Sequence, residues 1–402
     1  MKRAIQNLTM AAALLLGAAA MSSCAGFVDA LLGHEDTPAE TPTKPTTSDT
    51  NDGGSHEGSD MSLPPGAGFN IVDLSTLTED YTFKDGDVLT GTLDGTKTVI
   101  KLTVAPDAKV ILSGAQILGE DQGIFVNKWA GLTCLGNATI ILDGENTVRS
   151  FDRDFPCIQA GPDGSKLIIT GDGKLTTEGP SSAGIGSAND IACGDIEIQG
   201  GDFSLKDSRA GIGIWAGGSC GDITITGGTI STQGVGVGIG CSGDRSSCGN
   251  ITISDGTITA QGGEVGIGIS GDAISCGDII ITGGTITAQG DMDPGIGCYG
   301  DESSCGDISI SWSENFVSLT AIKGHRVQNP IGLTNYSNCG DITFDGTIIN
   351  KRIDNYVEVD NGGIYGDLKF TISTTLPEDV DETDEEAVKP YKDNTWTLTP
   401  MR

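Results

Sequence analysis

Histidine is almost missing from this sequence, with three in 402 residues, and two of them, His34 and His56, fall near or within a polar tract ahead of the main body. That scarcity leaves Ser/His/Asp and Cys/His nucleophilic arrangements without a base. Basic side chains are also few, 23 against 55 acidic ones, for a formal net charge of −32. Nucleic acid and anionic membrane surfaces are therefore poor partners, and cations, neutral glycans or basic surfaces are better ones. Aromatic residues make up only 5% of the chain, so the position of each one carries weight. Long apolar runs are lacking too. The longest lies at the N-terminus and is shorter than the roughly 20 residues a membrane-spanning helix needs.

What is present begins with MKRAIQNLTMAAALLLGAAAMSSC, two positive charges and an apolar run closing on small residues and a cysteine. This is the layout of a secretory signal. Met21-Ser22-Ser23-Cys24 resembles a bacterial lipobox, which makes residues 1–23 the expected signal peptide and Cys24 the expected lipidated first residue. Removing Lys2 and Arg3 with the signal leaves 21 basic against 55 acidic side chains. Residues 24–66 contain the Pro-, Thr-, Ser- and Gly-rich tract EDTPAETPTKPTTSDTNDGGSHEGSD, which cannot bury a core and is expected to be a disordered stalk. The expected location is the outer membrane, exported and displayed at the cell surface.

From about residue 109 the chain repeats. Its first apolar pieces start at Lys109, Ala138, Lys166, Asp195, Asp222, Asn250, Asp278, Asp307, Asp341 and Asp367, with spacings of 29, 28, 29, 27, 28, 28, 29, 34 and 26 residues. A repeat of this length means a solenoid or an array. Within one repeat, CGDITITGGTISTQGVGVGIG, three short β-patterned pieces are separated by glycine. Alternation puts Ile223, Ile225 and Ile230 on one face and Thr224, Thr229 and Ser231 on the other. No helical period occurs in the repeat, and a propeller blade would need about 40 residues. The expectation is an all-β, right-handed parallel β-helix of nine or ten coils over residues 67–375, about 28 residues per coil, with residues 376–402 as a C-terminal cap and Asn70–Phe83 as a first one. The 34-residue step holds an irregular coil, SWSENFVSLTAIKGHRVQNPIGLTNYSN, of the kind that carries function on a rigid scaffold.

Several motifs invite chemistry. CGD or CGN begins at Cys193, Cys220, Cys248, Cys276, Cys305 and Cys339, one per coil. Ligands spread along a solenoid do not converge as zinc requires, so this row is expected to be a stack of small apolar side chains. Cys241 and Cys298 follow GIG, should point inward, and lie seven residues before Cys248 and Cys305. In an exported protein Cys241–Cys248 and Cys298–Cys305 are candidate disulfides, although sequence does not settle pairing. The glycine strings recur with no helix after them, so they are not nucleotide loops. Asp195, Asp222, Asp278, Asp307 and Asp341, with Asn250, should form one row, and Asp244, Asp272 and Asp301 a second. Carboxylates about 4.8 Å apart repel. Either backbone N–H groups relieve them, or calcium does, with Asp244, Asp272, Asp278, Asp301 and Asp307 as candidate ligands. Outward threonines such as Thr257/Thr259 and Thr285/Thr287 form a flat hydroxyl row of only three coils.

After GIG, the second position holds Trp215, Ser242, Ser270 and Tyr299 in successive coils, so Trp215 and Tyr299 should share an edge about 14 Å apart. That spans a few sugar units. Trp129 is a candidate extension of the same surface, and Lys323, His325 and Arg326 form a rare basic cluster suited to an acidic sugar. No acid pair stands out as a glycosidase would require. A lyase using Asp307 or Asp341 with Arg326 is the catalytic alternative.

VDLSTLTEDYTFKDGDVLTGTL, WAGLTCLGNATIILDGENTV and the AGIG…CGDITITGGTITAQG repeats resemble secreted lipoproteins of gut Bacteroidetes-type bacteria described as carbohydrate-binding-domain β-helix proteins, across residues 70–370. More distantly the chain looks like calcium-containing β-helix proteins that bind pectic polymers. The resemblance implies a β-helix that binds polysaccharide or glycoconjugate, or a host or bacterial surface protein, without cleaving it. Calcium is the one cofactor implied. A purely structural spacer is the remaining alternative.

Overall fold

The computed structural model describes residues 69–401, apart from 122–127, 334–336, 354–355, 360–361, 378–379, 381 and 385–387. The expected signal peptide, Cys24 and the stalk lie outside the described residues.

The repeated Ile-x-Ile pieces pair in parallel with identical partners. Ile223 aligns with Ile251, Ile279, Ile308 and Ile342 in turn, and Ile225 with Ile253, Ile281, Ile310 and Phe344. All ten side chains are fully buried. Each one taken out of water stabilises the stack by about 1.5–3 kcal/mol. This first wall runs in chain order from Asn70–Asp73 to Ile342–Phe344. A second wall stacks Phe203, Ile230, Ile258, Ile286 and Leu319. A third stacks Ile212, Ile239, Ile267, Ile296 and Ile331. Three strands per coil and parallel pairing throughout the stack make a right-handed parallel β-helix. Outward positions alternate with these columns, and Thr229, Thr257 and Thr285 form one exposed or half-exposed row in register.

Glycine in the third wall has a specific cause. Gly213, Gly240, Gly268, Gly297 and Gly332 are in register and hold φ between +126° and +137°. On each of the first four, a Cβ would strike the carbonyl of the glycine one coil on. Only glycine tolerates both conditions. The GIG strings are thus tight backbone stacking, as their recurrence implies.

The CGD corner is explained in the same terms. Its cysteine points inward, with Cys220, Cys248 and Cys276 stacked in register. Its aspartate accepts the backbone N–H one coil on: Asp195 Oδ1 from Asp222 at 3.0 Å, Asp222 from Asn250 at 2.7 Å, Asn250 from Asp278 at 2.8 Å, Asp278 from Asp307 at 2.9 Å and Asp307 from Asp341 at 2.8 Å. The glycine between them leaves room for that bond, because a Cβ on Gly221, Gly249, Gly277, Gly306 or Gly340 would collide with the accepting oxygen.

The ends differ from the sequence-based expectation. Asn70–Asp73 is a strand of the first wall, paired in parallel with Asp87–Thr90, not a separate cap. The tenth start, at Asp367, does not begin a coil. After Phe344 the chain reverses: Thr347–Ile348 runs antiparallel on Ile342–Phe344. Leu368–Ser373 pairs antiparallel with Thr395–Pro400, which pairs antiparallel with Phe316–Ile322. The apolar alternation of Asp367–Phe370 is the same in a hairpin as in a coil, so the pattern alone could not separate them. Phe344, Tyr365, Phe370 and Trp396 close over the end, with ring centroids 5.0–6.2 Å apart. The antiparallel strands also satisfy backbone groups that the last coil would otherwise expose.

The corner geometry predicts that Gly277→Ala lowers stability by about 1–3 kcal/mol through overpacking against Asn250. Gly363→Ala, where the nearest atom to a Cβ is 3.5 Å away, should change little. Thermal and urea unfolding midpoints of the two variants check this.

Candidate functional site

Trp215, Ser242, Ser270 and Tyr299 occupy one column of the third wall, each in register with the next. The aromatic pair expected from the sequence therefore shares an edge, three coils apart. Trp215 and Tyr299 are half-buried, whereas Ser242 and Ser270 between them are fully buried. Tyr299 packs against a small satellite cluster of Ala183, Ala210, Val237 and Val265.

Each ring carries a guanidinium. Arg209 Cζ lies 5.4 Å from the Trp215 centroid, and Arg326 Cζ 5.9 Å from that of Tyr299. Each arginine also faces an aspartate. Arg209 reaches Asp154 Oδ1 at 3.3 Å, which Asn189 Nδ2 also meets at 3.1 Å. Arg326 Nη1 stands 3.6 Å from Asp293 Oδ2. Asp293 is 0% exposed, and neither of its oxygens accepts a hydrogen bond. Burial pushes its carboxyl up to about 6, against the opposing pull of Arg326 and with a further push from Glu264. Glu264 lies one coil back, its main-chain oxygen accepting the Asp293 N–H at 3.2 Å, and its carboxylate accepts from Ser270 Oγ.

Other expected residues lie elsewhere. Trp129 packs against the core, its ring 6.2 Å from that of Phe151, with Nε1 buried and unpartnered. Lys323 turns inward, 8% exposed, with Nζ on the main-chain oxygen of Val327 at 2.9 Å, and burial lowers its ammonium's affinity for a proton. Of the expected basic cluster, Arg326 is the member at the Tyr299 edge, because the irregular segment folds its lysine under itself. Asp307 Oδ1 is used by the Asp341 N–H, and the carboxylate beside Arg326 is Asp293.

The aspartate rows are relieved by backbone. In the second row Asp244 Oδ1 accepts the Asp272 N–H at 3.1 Å, and Asp272 Oδ1 that of Asp301 at 2.8 Å. Among the described residues no three histidine, cysteine or acidic side chains are grouped to hold a metal. Asp244, Asp272, Asp278 and Asp307 each use one carboxylate oxygen on a backbone N–H of the next coil.

Cys241 and Cys298 do point inward, in the isoleucine column with Ile214 and Ile269. All ten described cysteines are buried free thiols, so Cys241 and Cys248, like Cys298 and Cys305, stand unbridged. Burial pushes the thiols of Cys134 and Cys241 up to about 12. Cys305 is also pushed up, since it keeps its proton for contacts with Cys298 and Cys339.

Sequence reasoning missed Arg209, Glu264 and Asp293. A signal for the last was available: QGDMDPGIG replaces the QGGEVGIG of the preceding coil, adding a residue and an acid immediately before the glycine string. A family model for the beta helix repeat matches residues 251–271 and 279–301, two successive coils. No curated protein and no solved structure matches the chain. The matched segments supply Glu264, Ser270, Asp293 and Tyr299, so the candidate site stands on recognised β-helix repeats.

Two predictions follow from these environments. A carboxyl whose proton affinity is raised by folding favours the native state below its ordinary titration near 3.8, and that contribution is lost as pH rises through about 6. Asp293→Asn should raise stability at pH 7 by on the order of 2 kcal/mol, with the gain gone near pH 4. Unfolding curves across that range measure it. The ten described thiols should resist alkylation in the native chain at pH 8 and label fully after denaturation, as peptide masses would report. A pair that stays unlabelled after denaturation would be a disulfide.

Proposed function

We propose that this is an exported, lipid-anchored protein of the outer membrane, displayed at the cell surface through its stalk, whose β-helix binds carbohydrate and does not cleave it. The ligand is a polysaccharide or glycoconjugate, and adhesion to a host or bacterial surface follows from that binding. One observation carries the reading: Trp215 and Tyr299 share a column three coils apart, on a scaffold whose strands fix their spacing. Aromatic rings offer broad apolar faces at little entropic cost, and sugar rings present matching C–H faces. The separation of about 14 Å suits an extended oligosaccharide that bridges both rings. The acidic surface weighs against nucleic acid and against membrane contact other than through Cys24. The described residues contain no helix long and apolar enough to cross a membrane. Calcium assistance through the aspartate rows is part of this proposal. Binding that is lost in chelator would support it, and binding indifferent to chelator would leave recognition to the aromatic edge and the basic loop.

The test is retention of the chain on a panel of plant and mucosal glycans, with and without chelator. Trp215→Ala and Tyr299→Ala are each expected to weaken the retained glycan about tenfold, or ~1.4 kcal/mol. Products of cleavage should not accumulate. Failure to retain any glycan would sink the carbohydrate reading and leave a spacer or a protein-binding adhesin.

A further inference from the structure

The corner that carries Tyr299 holds more negative charge than positive. Asp293 and Glu264 sit on adjacent coils, and Asp272 adds its field at the Tyr299 ring. Arg326 is the cation placed against them, its side chain 43% exposed. At 3.6 Å it attracts Asp293 without hydrogen-bonding to it. A fully buried carboxylate with no donor on either oxygen is costly, and its unmet acceptor capacity points to a donor that binds there. The raised proton affinity of Asp293 reports the same deficit.

The resident arginine indicates what that donor is. A cation over an aromatic ring and beside a carboxylate is how ammonium and guanidinium groups are recognised. Arg326 comes from the segment that departs from the repeat, tied to the neighbouring corner by its own N–H on Met292 O at 2.9 Å. At the other end of the column Arg209 also lies over a ring, that of Trp215. Its carboxylate, Asp154, is however exposed and accepts from both Arg209 and Asn189, so the unmet acceptor belongs to the Tyr299 corner. We propose that the Tyr299 corner binds a cationic primary amine carried on a sugar, and that Arg326 is an internal stand-in which the ligand displaces. The proposal rests on the carbohydrate reading and names the class of sugar.

A primary ammonium is compact, with three rotatable donors, and can close on both Asp293 oxygens once the larger planar guanidinium swings out. The sugar face then rests on Tyr299. The net charge of −32 draws polycations and repels acidic polymers.

The experiment is calorimetric titration of the full chain with glucosamine oligomers and with N-acetylated oligomers of the same length, at pH 6 and low salt, where the free amines carry charge. The amine form should bind at least tenfold tighter than the acetylated form and weaken as salt is added. Asp293→Asn should reduce the amine form to the level of the acetylated one. Arg326→Gln should tighten the amine form severalfold, the opposite of what an acid-binding arginine would show. Equal binding of the two probes, or weaker amine binding in Arg326→Gln, overturns the proposal while the carbohydrate reading stands. If neither probe binds, tetralysine and its acetylated form are titrated next. Tight tetralysine binding with the same responses in the two variants would keep the cation site and transfer it to a basic peptide, overturning the sugar. No binding of either peptide would remove the site altogether.

Discussion

Everything in this β-helix depends on stacking coils one rung apart, about 4.8 Å, with every residue facing its counterpart in the coils on either side. That spacing rewards identical apolar side chains and penalises identical charges. The isoleucine columns are the favourable result, since each Ile fills the same space in its own coil. The aspartate rows show how the unfavourable one is managed. Each Oδ1 is turned onto the N–H of the next coil, so a repelling column becomes a ladder of hydrogen bonds. Asn250 interrupts the charge while keeping the same bond, accepting the Asp278 N–H at 2.8 Å.

The same constraint explains why glycine and cysteine recur where they do. Glycine sits at corners where the accepting oxygen of the preceding coil occupies the space of a Cβ, and at third-wall positions where backbones stack in a conformation that L side chains avoid. Cysteine fills the corner interior as a small apolar group. Residues with the look of metal or phosphate chemistry are thus consumed by architecture, and their repetition marks them as such.

Chemistry concentrates where the repeat fails. The coil holding QGDMDPG places Asp293 under the Tyr299 edge, and the longer coil after it supplies Arg326 and buries Lys323. A polar group that lowers stability without an architectural return is a marker of function. Asp293 meets that description, whereas Asp278 and Asp307 do not, because each anchors a coil.

The sequence by itself determined the coil, its three walls, the inward columns and the shared edge of Trp215 and Tyr299. At a near-constant period the neighbours of a residue are the residues one period away, so register can be counted. Only the tertiary structure decided the rest. It turned Asp367–Phe370 into a hairpin of the closing segment, directed Lys323 inward, packed Trp129 on Phe151 and set Arg326 against Asp293 and Tyr299. In each case the partners lie in loops of unequal length or in the antiparallel end. There the period no longer says which residues meet, and packing alone chooses.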